Sequence, residues 1–362
     1  MAFRMDIDRY DVRAAVPGTK RSFELNVDIG TGVPLTLPVL QIDGAKPGKT
    51  LLVLSGVHGD EYEGVETVLR LYRELEPERL TGSIVLVPQA NPLSYRGGTR
   101  TSPEDGLNMA RVFPGQLEGM PTERIAWQLH HRFIAKADFM LDLHSGGTHY
   151  AVSTLVGYYH NDRTELGRRC REAAEAFGIE LLWAHESIAP GRSVSSALEL
   201  GVPWLYTEAY GGRRIRREDA DAFLEGAYRL LRHLSMLAPD AHRPSEAADH
   251  GGDAGEETAA AAAAADTGQG RGMQPALRRI YGDGNFDGSE TAEADGFFIP
   301  GVPLSSAVEA GTAIGAIYGF DGQELHRVVA ARAGVVVMLP GTPAVRKSEP
   351  LFMIAPTQSE MK

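Results

Sequence analysis

The sequence predicts an α/β protein in two regions: a mostly parallel sheet with helices on both faces, then a small all-β barrel or sandwich. Three observations carry this. In the first part of the chain, short apolar runs alternate with segments of helical periodicity. Between 238 and 275 large apolar side chains almost vanish, and seven consecutive alanines, Ala259 to Ala265, sit among Asp, Glu, Gly, Pro and Thr. Beyond that stretch the helical spacing is gone, and Gly or Pro punctuates short apolar runs about every ten residues.

In chain order, Thr50–Ser55, Ser83–Pro88 and Phe139–Leu143 are apolar runs bounded by turn residues, as strands buried on both faces should be. Pro203–Thr207 reads the same way. Helical spacing marks Glu61–Leu75, Pro121–Lys136, Asp162–Phe177 and Glu218–Leu237. Pro121 suits a first helical turn, and Glu123 favours its positive end. His130 and His131, adjacent in that helix, are expected to point apart at the surface. Such alternation predicts a sheet covered on both sides. An Ala-rich run without an apolar face has nothing to bury, so 238–275 is expected to be a linker or mobile insertion between an α/β domain (1–237) and a β domain (276–362). In the β domain, Asp295–Pro300, Ala313–Tyr318, Val328–Ala330, Gly334–Leu339 and Leu351–Ile354 are the predicted strands.

Composition bounds the function. The 362 residues, 43% of them apolar, suffice for a large core. Lys and Arg number 36 against 48 Asp and Glu, a net charge of −12 that provides no positive field for nucleic acid or anionic membranes. The run Arg213, Arg214, Arg216 and Arg217 reads as a solvated helix start. Cys170, the single cysteine, excludes an internal disulfide and multi-cysteine zinc sites. The N-terminus lacks the apolar run of a signal peptide, and no stretch approaches the ~18 apolar residues of a membrane span, so a soluble, cytoplasmic protein is expected.

Three predicted strand ends deliver polar clusters. The first is Ser55-Gly-Val-His-Gly-Asp-Glu-Tyr-Glu-Gly64, where His58 and Glu61, three apart, face one point once a helix begins. The second is Leu141-Asp-Leu-His-Ser-Gly-Gly147, with His144 just past a strand. The third is Thr207-Glu-Ala-Tyr-Gly-Gly212, with Glu208 at a strand edge. Carboxyl ends of parallel strands share one face, where ligands bind. Two imidazoles and a carboxylate suit Zn²⁺, which needs three protein ligands and one open position to acidify water and polarise a carbonyl. Glu208 is placed to relay a proton to the leaving amine. Asp142 either orients His144 or caps the strand; His149 either lines the pocket or, as expected, is an ordinary loop residue; Arg192 and Ser193, at a Gly-rich helix entry, either bind an anion or, as expected, simply cap the helix. Ser145 lacks the Gly-x-Ser-x-Gly elbow of a nucleophile.

The motifs Gly56-Val-His-Gly-Asp-Glu61, Asn91-Pro92, Asp142-Leu-His-Ser-Gly-Gly147 and Glu208 resemble the succinylglutamate desuccinylase/aspartoacylase family, within the zinc carboxypeptidase superfamily. The resemblance implies a zinc-carboxypeptidase-like sheet and one Zn²⁺ held by His58, Glu61 and His144. It also implies Glu208 as general acid/base and a small-molecule N-acyl amino acid as substrate. Arg96-Gly-Gly-Thr-Arg-Thr-Ser-Pro-Glu-Asp-Gly106, Asn108 and Arg111-Val-Phe-Pro-Gly115 are most similar to the N-acetyl-2,4-diaminobutyrate deacetylases of ectoine breakdown. By that similarity Arg100 polarises the scissile carbonyl, and Arg111 offers a planar fork to the substrate carboxylate. Family members carry Asn-Arg where this chain has Ala110-Arg111, so Asn108 is the expected substitute donor. Ala110 also keeps open a peptide carboxy-terminus or another linear amide as substrate, and a third reading is a non-catalytic metal-binding module. The C-terminal region resembles the barrel-sandwich of biotinyl and lipoyl carriers. Its lysines, Lys347 just before the last strand and the terminal Lys362, do not offer the hairpin-tip lysine that a carrier needs, so it is expected to carry no prosthetic group and to cover the pocket or form a homo-oligomer contact.

Overall fold

The computed structural model describes residues 2–239 and 276–358. The alanine run and all but the start of the predicted linker lie outside the described residues. A ten-stranded sheet forms the centre. Its spatial order is Phe3–Asp6, Thr19–Val27, Leu35–Asp43, Thr81–Val87, Lys46–Ser55, Phe139–Leu143, Trp204–Glu208, Leu155–Tyr159, Leu181–His185 and Arg278–Tyr281. Six of its nine pairings are parallel. The central four, from Thr81–Val87 to Trp204–Glu208, all run the same way. The antiparallel pairings flank this block.

Period-two alternation sorts each central strand between two cores. Leu51, Val53, Ile84, Leu86 and Leu141 pack with Val68, Leu71, Phe177, Phe223 and Leu231, from the helices Glu63–Glu74, Glu165–Phe177 and Arg217–His233. Leu52, Leu54, Val85, Val87 and Met140 face the opposite way, against Ile125, Phe133, Val194 and Ala197. Helices therefore cover both faces, as the unbroken apolar runs require.

The Pro121–Lys136 segment differs from its prediction. The α-helix ends at Gln128 and continues as a π turn, Leu129–Phe133, and a 3-10 turn, Ile134–Lys136. The π turn buries His130 and brings its ring within 4.5 Å of His131, instead of splaying the two at the surface.

The C-terminal strands form two antiparallel sheets. One holds Glu290–Thr291, Pro350–Ala355, Gly334–Pro340 and Ala307–Val308; the other holds Glu324–Val329, Ala313–Tyr318, Gly296–Pro300 and Ala344–Val345. The two regions exchange strands. Arg278–Tyr281 adds to the large sheet beside Leu181–His185, and Tyr150–Val152 pairs with Gly334–Pro340. A shared core follows, in which Val152, Leu155, Leu181 and Trp183 meet Ile280, Phe286, Val335 and Met353.

Candidate active site

Ser55, Leu143 and Thr207 are aligned in register at the carboxyl ends of three neighbouring strands. The strand Lys46–Ser55 does not enter its helix directly. The helix starts at Glu63, so His58 and Glu61 both lie in the preceding loop and not on a helix face. Gly59 allows this: a Cβ there would stand 1.9 Å from the Ser94 carbonyl oxygen. Its N–H donates to the Thr99 carbonyl at 2.9 Å, tying the loop to the segment that carries Arg100. Asn91 caps the short helix Pro92–Gly97 and donates to Ser102 Oγ at 3.0 Å, fixing the same segment from within.

One carboxylate joins two imidazoles. Glu61 Oε1 lies 2.6 Å from His58 Nδ1, and Glu61 Oε2 lies 3.0 Å from His144 Nδ1. The outer nitrogens are engaged elsewhere. His58 Nε2 is 3.0 Å from Asn108 Oδ1, an oxygen that also accepts the Ala110 N–H at 2.9 Å. His144 Nε2 is 3.2 Å from Asp142 Oδ2, which also accepts from Ser193 Oγ. An amide oxygen and a carboxylate only accept, so both Nε2 atoms carry protons and both Nδ1 atoms aim at Glu61. The ligand atoms of His58, Glu61 and His144 lie within 4.8 Å of one another. Electron-rich atoms so converged repel unless a cation joins them, and the donor set fits a divalent metal with an open position.

The titration behaviour follows from the same crowding. Burial, and next Arg100, lowers the His58 pKa and keeps the ring neutral. Burial opposes charge on His144, but Asp142 and Glu61 outweigh it and raise its pKa well above the usual value, so a proton there takes the cation's place. Burial would also raise Glu61; the two imidazoles prevail and hold its carboxyl far below the ordinary range. Glu208, nearly inaccessible, is pushed up to about 8, chiefly by burial, with His144 and Arg100 opposing and Glu61 and Asp142 adding.

His58, His144, Glu208 and Arg100 line one cavity. Arg100 Nη1 lies 3.4 Å from both Glu61 Oε1 and His58 Nδ1, and its guanidinium sits over the Tyr150 ring. Arg111 lines the cavity too, but its fork is engaged: Nε and Nη2 donate to Asp287 Oδ2 at 3.3 and 2.9 Å, and Nη1 to the Ala110 carbonyl at 3.0 Å. Asn108 is a correction. Its oxygen is consumed by His58 and the Ala110 N–H, and it is not among the cavity-lining residues, so it orients a metal ligand instead of replacing the missing Asn. Asp142 contacts His144, which favours the orienting reading over a strand cap. His149 lies outside this cavity.

Arg192 and Ser193, expected to be a simple helix cap, line the cavity as well, and other lining residues escaped the sequence reading: His185, Tyr206, Ile188, Val194 and, from beyond residue 275, Asp283, Gly284 and Phe286. Arg192 lies near Arg111, and burial together with that neighbouring charge lowers its pKa. Of the other lining residues, only Tyr206, on the predicted strand Pro203–Thr207, carried any local signal. The rest depend on folding contacts between distant segments.

Comparison with known proteins agrees with this geometry. Residues 47–234 match the succinylglutamate desuccinylase/aspartoacylase catalytic domain. The N-alpha-acetyl-L-2,4-diaminobutyric acid deacetylase of Halomonas elongata is 32% identical over 200 residues, 55% of this chain and 58% of that protein. The chain therefore matches little more than half the length of that relative. Among solved structures, a succinylglutamate desuccinylase/aspartoacylase from Rhodobacter sphaeroides superimposes with a TM-score of 0.76 at 24% identity, covering 98% of each chain. The ectoine utilization protein EutE of Ruegeria pomeroyi, product-bound, gives 0.75 at 23% identity, covering 93% of this chain and 94% of its own. Those two likenesses establish the fold. Because the family match spans more than half of the sequence and contains the whole His58, Glu61, His144 and Glu208 set, the chain belongs to the succinylglutamate desuccinylase/aspartoacylase family.

Proposed function

We propose that this protein is a zinc-dependent deacylase that cleaves the amide of an N-acyl amino acid, an N-acyl diamino acid in particular. The observation that carries the reading is the convergence of His58 Nδ1, His144 Nδ1 and the Glu61 carboxylate on one point beside Glu208. The diaminobutyric acid deacetylase relative supports the substrate class.

Zn²⁺ held by His58, Glu61 and His144 supplies Lewis-acid polarisation of the amide carbonyl and acidification of water. Asn108 and Asp142 hold the two imidazoles in the tautomer that presents Nδ1. Arg100, on the cavity wall, donates to the carbonyl oxygen as it becomes an oxyanion. A cation beside Glu208 would offset the Glu61 and Asp142 charges that help raise its pKa, and the ionised carboxylate then takes a proton from the attacking water and delivers it to the departing amine. Arg111 and Arg192 hold the substrate carboxylate, which exchanges with Asp287 at the Arg111 fork. That ion pair is a third to three-fifths exposed, so its rupture costs little, about 1 kcal/mol or less. Ile188, Val194 and Phe286 supply the apolar wall.

The test is metal analysis combined with hydrolysis of N-acyl diamino acids. Glu208→Gln should retain metal and lose activity about 100-fold or more. A His58→Ala/His144→Ala double variant should lose the metal. Full activity in the first or bound zinc in the second defeats the mechanism.

A further inference from the structure

We propose that Tyr206 and Asp283 form a subsite for a free ammonium group, through which the protein reads the second amine of an N-acyl diamino acid. The inference rests on the deacylase reading above and adds a specificity to it.

The argument begins at a backbone carbonyl. His185 Nδ1 lies 2.7 Å from the Gly282 carbonyl oxygen. A carbonyl only accepts, so Nδ1 carries the proton and Nε2 of the neutral ring is an acceptor. The Tyr206 hydroxyl is 2.8 Å from that Nε2 and must donate its one proton there. His185 is 1% exposed, and burial pushes its pKa to about 4, so the ring stays neutral near pH 7. Tyr206 is left with lone pairs alone for the cavity.

Asp283 follows Gly282, so the segment that fixes the tautomer also brings Asp283 to the cavity wall, near enough for its charge to act on both His185 and Tyr206. One of its oxygens accepts the Asn285 N–H at 3.0 Å, and no side-chain cation pairs with it among the described residues. This edge of the cavity only accepts hydrogen bonds. The adjoining edge, Arg111 and Arg192, only donates; Arg192 Nη1 reaches the Asp283 main-chain oxygen at 3.5 Å, so the two edges are neighbours. A ligand bearing a carboxylate and an ammonium satisfies both, and a simple anion satisfies one.

The experiment compares N-acetyl-2,4-diaminobutyrate with N-acetylnorvaline, in which a methyl group replaces the ammonium. The wild-type ratio of kcat/KM for the two should fall about tenfold in Asp283→Asn, and fall likewise in Tyr206→Phe. An unchanged ratio in Asp283→Asn overturns the subsite. Asp283 is exposed, so this variant should keep the wild-type melting temperature. If the wild type hydrolyses neither compound, the deacylase reading falls by itself, and calorimetry with 2,4-diaminobutyrate and norvaline decides the subsite. Preference for the diamino acid, abolished in Asp283→Asn, supports it, and equal binding of the two overturns it.

Discussion

Asn108 and Glu208 show how much chemistry a single neighbouring atom decides. Asn108 is not among the cavity-lining residues, yet its oxygen fixes which nitrogen of His58 faces Glu61. Asn108→Ala should therefore weaken metal binding by about tenfold or more, measurable by chelator competition, before any effect on substrate affinity. Glu208 makes a pH prediction. Burial pushes its carboxyl up to about 8 in the fold from an ordinary 4.5, so between these values the folded state holds a proton that the unfolded chain has released. Its contribution to stability is complete below the lower value and is lost as pH rises through the upper one. In chelator-treated protein, the melting-temperature advantage of Glu208→Gln over wild type should be larger at pH 9 than at pH 5. An equal gap at both refutes the shift. The His58, Glu61 and His144 cluster and Glu208 were legible in the sequence because each stands at or just past a strand end within a short motif. Tyr206 and Asp283 were not, because the contacts that bring them to the cavity join distant segments, such as Arg192 with Asp283 ninety-one residues on, and no local pattern marks them.

At the scale of elements, legibility followed burial. The central strands, apolar on both faces, announced themselves. Thr19–Val27 and Leu35–Asp43 bury one face only, with Phe23, Leu25 and Val27 alternating with half-exposed polar residues, and went unread. The helix start at Glu63 was placed two residues early because the His58–Glu61 spacing imitates a helical face, whereas a loop folded against Ser94 achieves the same convergence. A second close approach supports the cavity wall. Gly157 sits opposite Tyr206 in the antiparallel pairing, and a Cβ there would lie 2.0 Å from the Tyr206 ring. Gly157→Ala should cost about 1–3 kcal/mol by overpacking, read from denaturant unfolding, and should also displace the phenol. Unchanged stability in that variant contradicts the packing described.

For the whole molecule, the exchanged strands make the two regions interdependent. A chain ending at residue 275 would uncover Trp183, Leu181, Leu155 and Val152, which the C-terminal region now buries. It should be aggregation-prone and inactive, and a soluble truncation with a native-like melt and a closed cavity would show otherwise. The pairing of Tyr150–Val152 with Gly334–Pro340 bears as well on how the protein comes into being. During synthesis, the metal ligands leave the ribosome long before the strand that completes their surroundings. Contacts of such sequence separation form slowly. The early product is the sheet that carries His58, Glu61 and His144 with one flank still bare, an intermediate exposed to aggregation until the C-terminal strands arrive.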